Sequence, residues 1–555
     1  MIKIHCVNNN KTLTFQPGVK LLDTIDHFNL TFDHKPICAI VNNRLEGLKY
    51  KAYNSKTVEF VGVEHAAGRK VYMRSLTFVL YKAVRDLFPK TRLTMENPVS
   101  KGYFFKLHMP TDGDGKPTEI TLEIAQRLKQ RMSEIIAQDI SFQRLEGPTE
   151  EVVSLFRQYG LENKAKLVEG IGKIYSFYYQ LDDTVDYFYG PLVPSTGFLE
   201  VFDLVKYYNG ILMRIPREDY QLPDIVKQEK MLKAFEEAHQ LEERGRVSTV
   251  GQLNELTRQG YSGYAIKVAE ALQEKRISSI ADDISKNEKL KVILVAGPSS
   301  SGKTTFSKRL CIQLMACGLL PTMISLDDYF VDREDTPRDE TGDYDYESIY
   351  SLNLSLLQDH IVRLLNGEEV ELPRYNFALG KSEMSGNTLK LSKNTVLVME
   401  GIHGLNPLMA EHIPEENIFR IYVSALTSIK LDSHNYIPTT DNRLIRRIVR
   451  DNKYRGTTAV QTIARWPSVR RGEEKWIFPY QENADVMFNS ALIYELAVLR
   501  NHALPLLEAV HENQPEHTLA SVLAQFLHFF DPIPDQELPP TSLMREFLGG
   551  SSFKY

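Results

Sequence analysis

The sequence predicts a multidomain protein of mixed α/β and α+β class, with a parallel, doubly wound sheet in its C-terminal half. Its 555 residues exceed what one hydrophobic core normally organises, so several domains are expected. From residue 290 onward, short unbroken apolar runs alternate with helical patterns, which is typical of a parallel sheet covered on both faces. A content of 43% hydrophobic and 25% charged residues is ordinary for a globular protein.

Residues 1–65 predict a small β-sheet module of ubiquitin size. Apolar residues alternate with polar ones in "IKIHCV" and "KTLTF", and the turn "QPGV" leads into a helix beginning at Leu21. Two further strand patterns follow in "ICAIVNNRL" and "TVEFVGV". We therefore expect a half-open sheet with one helix packed on it.

The middle of the chain predicts two further units. Residues 66–216 mix helical patterns such as "RSLTFVLYKAVRDLF" with strand patterns such as "GYFFKLHM", which indicates an α+β domain. Residues 217–287 are highly charged with helical periodicity, so they are predicted to form a helical connector. A catalytic unit then spans 288–530, and the Pro-containing residues 531–555 are predicted to form a tail that straps across it.

Composition narrows the range of functions. The N-terminus lacks the pattern of a signal peptide, and no apolar run reaches the eighteen or so residues of a membrane span, so we predict a cytoplasmic protein with no membrane partner. The four cysteines form no C-x2-C pair and are predicted to be reduced. Residues 1–101 contain sixteen Lys and Arg against eight Asp and Glu, so this region could face an anionic partner.

The C-terminal half contains five predicted strands and a phosphate-binding loop. The strand patterns are "KVILVAG", "PTMISLDD", "TVLVMEG", "NIFRIYVSA" and "ADVMFNS". The segment from Gly297 to Thr304, GPSSSGKT, follows the first strand, precedes a helix and matches G-x-x-x-x-G-K-[ST]. It predicts ATP and Mg²⁺ as cofactors, with Thr304 on the metal and with nucleotide contacts from Gly297, Ser299, Ser300, Ser301, Gly302, Lys303, Thr304 and Thr305.

A kinase also needs an acceptor-side base and further charges around the phosphoryl group. Asp327 and Asp328 end the second strand, at the edge of the sheet where open α/β folds bind ligands. Glu400 ends the third strand after apolar residues, a position that demands a partner for its charge. Arginines recur at i, i+3, i+4 and i+7 on one helix face, as Arg443, Arg446, Arg447 and Arg450.

The order of these motifs resembles the uridine/cytidine kinase and phosphoribulokinase-like group of P-loop kinases. The resemblance covers roughly residues 290–510 and includes "SLDDYF", "DYDYESIY", "LPRYNF", "VMEGIHGL" and "RLIRRIVRD". It implies transfer of a γ-phosphate to a nucleoside 5′-hydroxyl. The implied roles are Asp327 as general base and metal ligand, Glu400 as metal-side carboxylate, Lys303, Arg447 and Arg450 as catalytic cations, and Asp345, Tyr375 and Arg455 as substrate contacts.

The chain departs from that family pattern on the side that reads the base. Gly380 stands where uridine/cytidine kinases place a histidine, Gly456-Thr457 replaces Gly-Arg, and the extra stretch "IKLDSHNYIPTT" precedes the arginine-bearing helix. The identity of the nucleoside therefore stays open. Two alternatives remain at this point: a kinase of another sugar or sugar phosphate, and an RNA-binding regulator whose P-loop domain acts as an ATP switch.

The N-terminal half resembles the front of threonyl-tRNA synthetase. "FQPGVKLLD" and "AIVNNRLEGL" are similar to a TGS domain, while the segment after Gly68 and "VDYFYGPLV" resemble the synthetase's editing domain. The four positions that hold the editing domain's His and Cys residues are here Arg74, Phe78, Phe188 and Leu192. Because these side chains cannot perform that chemistry, the resemblance implies an inactive editing domain without zinc. An RNA ligand, a small-molecule effector, a purely stabilising role and the oligomeric state all stay open.

Overall fold

The computed structural model describes residues 1–32, 34–111, 118–245, 247–376, 379–392 and 394–554. One large apolar core crosses the domain divisions predicted above. It joins buried side chains from 37–269 with buried side chains from 429–548, so the C-terminal unit shares its core with the N-terminal half. The two halves are therefore packed into one body.

The first module is a five-stranded mixed sheet, as the alternating pattern predicts. Its two central strands are parallel and the outer pairs are antiparallel. A helical turn at Leu21–Thr24 packs on one face, with Leu21 and Phe28 fully buried. The strands in spatial order are Lys11–Phe15, Ile2–Cys6, Lys56–Val61, Cys38–Val41 and Arg44–Gly47, and a two-residue ribbon pairs Val19–Lys20 with Lys51–Ala52.

The second unit is built around the helix Ala66–Leu87, whose side chains are buried over most of its length. Four antiparallel strands form one sheet: Asp203–Tyr207, Gly210–Arg214, Tyr103–His108 and Arg92–Met95. Three more form a second sheet: Gln143–Pro148, Tyr175–Leu181 and Thr184–Asp186. The remaining helices are Leu122–Ala137, Thr149–Gln158 and Glu162–Gly170.

All five strands predicted for the C-terminal half lie in one parallel sheet. Their spatial order is Leu320–Ser325, Thr395–Glu400, Val292–Ala296, Ile418–Ser424 and Val486–Asn489. The first strand along the chain is thus central, which brings the carboxyl ends of its neighbours together around the loop that follows it. The helices after the strands include Lys303–Ala316, Leu354–Leu365, Thr439–Arg455, Ala459–Trp476, Glu495–Glu508 and His517–Leu527, and a hairpin pairs Val370–Asn376 with Lys381–Leu389.

The predicted connector is helical, with helices Glu229–Gly245, Val250–Arg258 and Ser262–Ser285. The last of these packs directly on the parallel sheet. Ile277, Ile280 and Ile284 are buried in the same core as the central strand Val292–Ala296. We therefore propose that the C-terminal domain begins near Ser262 and not at residue 288.

The C-terminal tail is described as far as residue 554 and lies across this domain. It contains the short helix Arg545–Leu548, and Leu543, Met544 and Phe547 are fully buried. Lys453 donates a hydrogen bond to the Leu548 carbonyl, which fixes the tail to the helix Thr439–Arg455. Across the described parts of the chain, no helix combines the length and apolar character that a membrane crossing requires.

Candidate active site

The phosphate-binding loop, or P-loop, connects the central strand Val292–Ala296 to the helix Lys303–Ala316. Ser300 and Gly302 adopt left-handed conformations, with φ of 58° and 82°, which turn the backbone around the helix N-terminus. A Cβ at Gly297 would lie 2.1 Å from the Val423 carbonyl oxygen, so this position needs glycine. The exposed N–H groups of such a turn favour an anion.

Glu400, at the end of the neighbouring strand, faces the P-loop. Its Oε1 accepts hydrogen bonds from Thr304 Oγ1 and Ser325 Oγ, both at 3.3 Å. Burial raises the pKa of the Glu400 carboxyl to about 7 against the opposing effect of Lys303, and the charges of Asp327 and Glu546 add to the rise. Among the described residues, its Oε2 is buried without a hydrogen-bond partner.

These oxygens suit Mg²⁺, which prefers a few hard oxygen ligands and keeps some of its water. The buried Oε2 of Glu400 lacks a partner that a cation would supply, and the Thr304 hydroxyl lies beside it. Within the described chain there is no cluster of three or more His, Cys, Asp or Glu side chains that would hold a metal without substrate. The arrangement fits a metal shared with bound phosphates.

Asp327 and Asp345, the two carboxylates predicted to serve an acceptor, both lie near Glu347. Asp327 is half-buried in the 3₁₀ turn Leu326–Tyr329, directly after the strand Leu320–Ser325. The indole of Trp476 donates to Asp345 Oδ2 at 3.2 Å, which orients that carboxylate. The structure thus collects two predicted carboxylates and an aromatic anchor at one edge of the sheet.

Glu347 is a further acceptor-side carboxyl that the sequence patterns did not reveal. It is half-buried, and burial raises its pKa to about 7, although Arg447 opposes that shift. Asp345 and Asp327 are among the negative charges that contribute to the rise. The alternation of "DYDYE" is the signal that could have found it, since every second residue shares a side in extended chain.

The four arginines predicted to share one face of the helix Thr439–Arg455, called the arginine helix below, divide into two pairs. Arg443 and Arg446 are 1% and 0% exposed, and they form buried ion pairs with Glu473 and Glu495. They also donate to backbone carbonyls of the P-loop, at Ser299 from Arg443 and at Ser300 from Arg446. Arg443 and Arg446 therefore hold the backbone of the P-loop in place. Because both are buried in ion pairs, the four arginines do not form one row that faces the phosphates.

Arg447 and Arg450 converge on Asp451. Arg447 donates to Asp451 Oδ2 at 3.2 Å and to Ser299 Oγ at 3.0 Å, while Arg450 donates to Asp451 Oδ1 at 2.8 Å. Arg455 lies 3.5 Å from the same carboxylate. Burial alone would raise the pKa of Asp451, but these three arginines hold it below its ordinary value. Asp451 therefore organises the predicted transfer cations, a role that its i+4 spacing from Arg447 could have indicated.

Tyr375, predicted to face the acceptor's base, lies in the apolar core. It is 6% exposed, and its ring centroid is 5.5 Å from that of Phe330. Burial raises the pKa of its hydroxyl. The ring is therefore part of the apolar core around Phe330.

Thr305, predicted to contact the nucleotide, is engaged by the tail. Its hydroxyl and its backbone N–H both donate to Glu546 Oε2, at 2.6 and 3.3 Å. The other predicted nucleotide contacts surround the helix N-terminus as the motif requires. An internal carboxylate thus lies where the motif places a phosphate.

The central strand, its P-loop and the carboxylates at the neighbouring strand ends lie together at the carboxyl edge of the parallel sheet. Residues 292–495 match the phosphoribulokinase / uridine kinase family. This matched region, called the kinase domain below, contains every predicted site residue.

The N-terminal half is similar to curated threonine–tRNA ligases. One, from Clostridium kluyveri, is 29% identical over 199 residues, which is 36% of this chain and 30% of the ligase. The chain thus spans less than a third of that relative's length. Solved structures with partial likeness include a "Possible Uridine Kinase from Bacillus stearothermophilus", at 20% identity and TM-score 0.25 over 36% of this chain and 89% of that one. A D-glycerate 3-kinase from Cryptococcus neoformans reaches 13% identity and TM-score 0.26 over 37% and 87%.

Two of the four positions that the sequence predicts to match the editing residues of such ligases, Phe78 and Phe188, contact each other. The rings of Phe78 and Phe188 are fully buried, with centroids 5.7 Å apart. Arg74 packs over Tyr189 and donates to the Pro191 carbonyl at 3.2 Å. The space is filled by apolar packing and by an arginine already engaged with backbone.

The insertion, residues 429–440, joins the kinase domain to this editing-like unit. Lys164 Nζ lies 2.7 Å from both Asp186 Oδ1 and Asp432 Oδ1, and all three side chains are at most 1% exposed. His434 Nδ1 is 2.7 Å from Asp186 Oδ2, and its ring lies against Tyr81. The insertion is therefore buried against the N-terminal half and continues directly into the arginine helix. Residues 429–440 are called the plug below.

This buried cluster makes stability depend on pH in a defined direction. Burial favours the neutral forms of both groups, but the attraction between Lys164 and its carboxylate partners has the larger effect. The pKa of Asp186 is therefore held below its ordinary value, and the pKa of Lys164 is held above its ordinary value. The carboxylate's contribution is present above about pH 4 and is lost as pH falls through its lowered pKa. The ammonium's contribution is present below about pH 10 and is lost as pH rises through its raised pKa.

We expect the Tm difference between the wild type and Lys164→Met to be flat from about pH 5 to 9 and to shrink beyond either limit. Thermal unfolding at a series of pH values measures it. A difference that instead grows toward pH 3 would contradict the assignment.

Proposed function

We propose that the protein is an ATP- and Mg²⁺-dependent kinase that phosphorylates the 5′-hydroxyl of a nucleoside. The observation that supports the proposal is that Asp327 follows the strand next to the one ending in Glu400, which accepts from Thr304 of the P-loop, while Trp476 holds a further carboxylate, Asp345. A pure ATP switch needs no acceptor-side base. A ribose diol suits the oriented carboxylate of Asp345, because two adjacent hydroxyls can donate to its two oxygens.

In the proposed reaction, Asp327 accepts the proton of the acceptor hydroxyl while the oxygen of that hydroxyl attacks the γ-phosphorus of ATP. The bond from that phosphorus to the β–γ bridging oxygen breaks, and ADP leaves with the electron pair. Lys303, Arg447 and Arg450 neutralise charge on the transferred group. Thr304, Glu400 and Asp327 are the residues that would hold Mg²⁺, which when bound offsets negative charge on the phosphates.

A sugar or sugar-phosphate acceptor is the second candidate, and one contact favours it. At Gly380, where the related kinases have histidine, a Cβ would lie 2.6 Å from Arg333 Nε. A base-reading side chain cannot be placed there unless Arg333 moves. A guanidinium at this end of the acceptor region would suit an anionic group, since arginine binds phosphate and carboxylate in two-pronged fashion.

One assay separates these candidates: ADP release measured over a panel of nucleosides, sugars and sugar phosphates, with Asp327→Ala as the control. The proposal is supported if one nucleoside stimulates ADP release and the Asp327→Ala variant loses this stimulation. Stimulation by a sugar phosphate alone supports the second candidate. Stimulation by RNA alone, unchanged by Asp327→Ala, contradicts both and favours the ATP-switch alternative.

For the N-terminal half we propose a TGS-like module over residues 1–65 and an editing-like domain over 66–216 that serves as scaffold. The plug contacts of Lys164 and His434 support a structural role. An RNA or small-molecule ligand at the basic N-terminal region and an oligomeric assembly are further hypotheses.

We expect the full-length protein to leave Ser-tRNA intact. Arg74, Phe78, Phe188 and Leu192 offer no group that can bind a metal or transfer a proton between substrate and water. A deacylation assay with charged tRNA measures this, with an active editing domain as positive control. Hydrolysis above the no-enzyme rate would disprove the prediction.

A further inference from the structure

The C-terminal tail contacts the P-loop through both apolar and charged groups. Leu543 packs on Gly302, within 2.6 Å of where a Cβ would be, and the Phe547 ring lies 5.1 Å from the Arg446 guanidinium. At its start, Ser542 donates to Glu270 Oε1 at 2.5 Å. The tail is therefore seated on the loop at a defined register.

This register inserts one carboxylate into the phosphate site. Glu546 Oε2 accepts from the backbone N–H and hydroxyl of Thr305, in the first turn of the helix Lys303–Ala316. A negative group is favourable there because of the helix dipole and the free N–H groups of the first turn. Glu546 thus uses both donors of Thr305, the residue that directly follows the motif and that is predicted to contact the nucleotide.

The Glu546 charge also lies near Glu400, the carboxyl that faces Thr304, and it acts together with Asp327 to raise the pKa of that carboxyl. Three acidic groups are therefore close to the P-loop, which is built to bind a polyanion. Adding a triphosphate while Glu546 stays in place would bring like charges together at close range, which is unfavourable in a partly buried site.

We propose that the C-terminal tail is an internal competitor of the nucleotide, in which Glu546 occupies the position of a phosphate and must leave before ATP binds fully. The inference rests on the proposed function in that it takes the P-loop to bind ATP. Release of the tail would also free the Lys453 contact to the Leu548 carbonyl, so tail and arginine helix respond to the same event. The apparent affinity for ATP then equals the intrinsic affinity multiplied by the fraction of molecules in which the tail is released.

The test compares Glu546→Ala and Glu546→Gln with the wild type by calorimetric titration of ATP with MgCl₂, without acceptor. We expect the alanine variant to bind ATP roughly tenfold more tightly, because it removes a charge-assisted contact that competes with phosphate. The glutamine variant keeps the size of the side chain and guards against misfolding. It is expected to bind with intermediate affinity. Inorganic tripolyphosphate should gain affinity in the alanine variant as ATP does, while adenosine should not.

The matched control is Glu537→Gln. Glu537 is another carboxylate of the tail, and its Oε2 lies 3.4 Å from Lys267 Nζ, in a pair that does not involve the P-loop. It should leave ATP affinity unchanged. In the wild type, amide exchange in residues 543–550 should speed up when ATP is added. Equal or weaker ATP binding by Glu546→Ala, or unaltered exchange, overturns the inference while wild-type ATP binding still stands. If no variant binds ATP, the proposed function fails with it.

Discussion

An Asp327→Asn variant is expected to lower kcat for phosphoryl transfer by about 10²- to 10⁴-fold, the range typical of a lost general base. Asparagine keeps the size of the side chain but cannot take the acceptor's proton at neutral pH. Binding of ATP should change less than kcat, because the P-loop contacts remain. Coupled ADP-release kinetics with the best acceptor, together with ATP titration, measure the two effects separately.

The matched control is Asp335→Asn, an exposed carboxylate in the neighbouring 3₁₀ turn Arg333–Asp335. It should retain wild-type turnover. A kcat for Asp327→Asn within threefold of the wild type would exclude proton transfer to Asp327. Equal loss in both variants would instead indicate a general effect of charge at this edge of the sheet.

The second large effect concerns stability. Lys164→Met is expected to lower the free energy of unfolding by about 3–5 kcal/mol, because it leaves two buried carboxylates without their cation. Asp186 and Asp432 each lie 2.7 Å from the ammonium and are fully buried. Urea unfolding monitored by circular dichroism measures the loss, and the midpoint of the kinase half should fall together with that of the N-terminal half.

Lys166→Met on the same helix is the control, since its partner Glu255 is half exposed and the pair lies in solvent. Such surface pairs contribute roughly 0–1 kcal/mol. Adding Asp186→Asn and Asp432→Asn to Lys164→Met should restore part of the lost stability, as the buried charges are then removed. An unchanged midpoint in Lys164→Met would show that the cluster does not stabilise the fold.

The fold of the kinase domain could be predicted from sequence because its signals are local. Each of its strands is an apolar run ended by a turn, and the P-loop motif specifies the loop and the helix after the central strand. Arg443 and Arg446 illustrate the limit of such patterns. Their helical spacing is the same as that of Arg447 and Arg450, so the sequence does not distinguish the two pairs. The ion-pair partners that distinguish them, Glu473 and Glu495, lie on other helices. Long-range partners of this kind leave no periodic signal.

The tail and the insertion were visible in the sequence, but their partners were not. Glu546 is more than two hundred residues from Thr305, and Asp432 is equally remote from Lys164. Nothing in either short segment specifies which surface it meets. The N-terminal charge excess was equally uninformative, since it indicated a surface without indicating a ligand.

The plug formed by the insertion has a consequence for how the chain can be divided. A kinase fragment that begins after the loop 217–228 would carry Asp432 and His434 into solvent together with apolar side chains of the arginine helix. Such a fragment is expected to aggregate when expressed alone and to become soluble when the N-terminal fragment is supplied in trans. The front half would then act as an intramolecular chaperone for the insertion and the arginine helix.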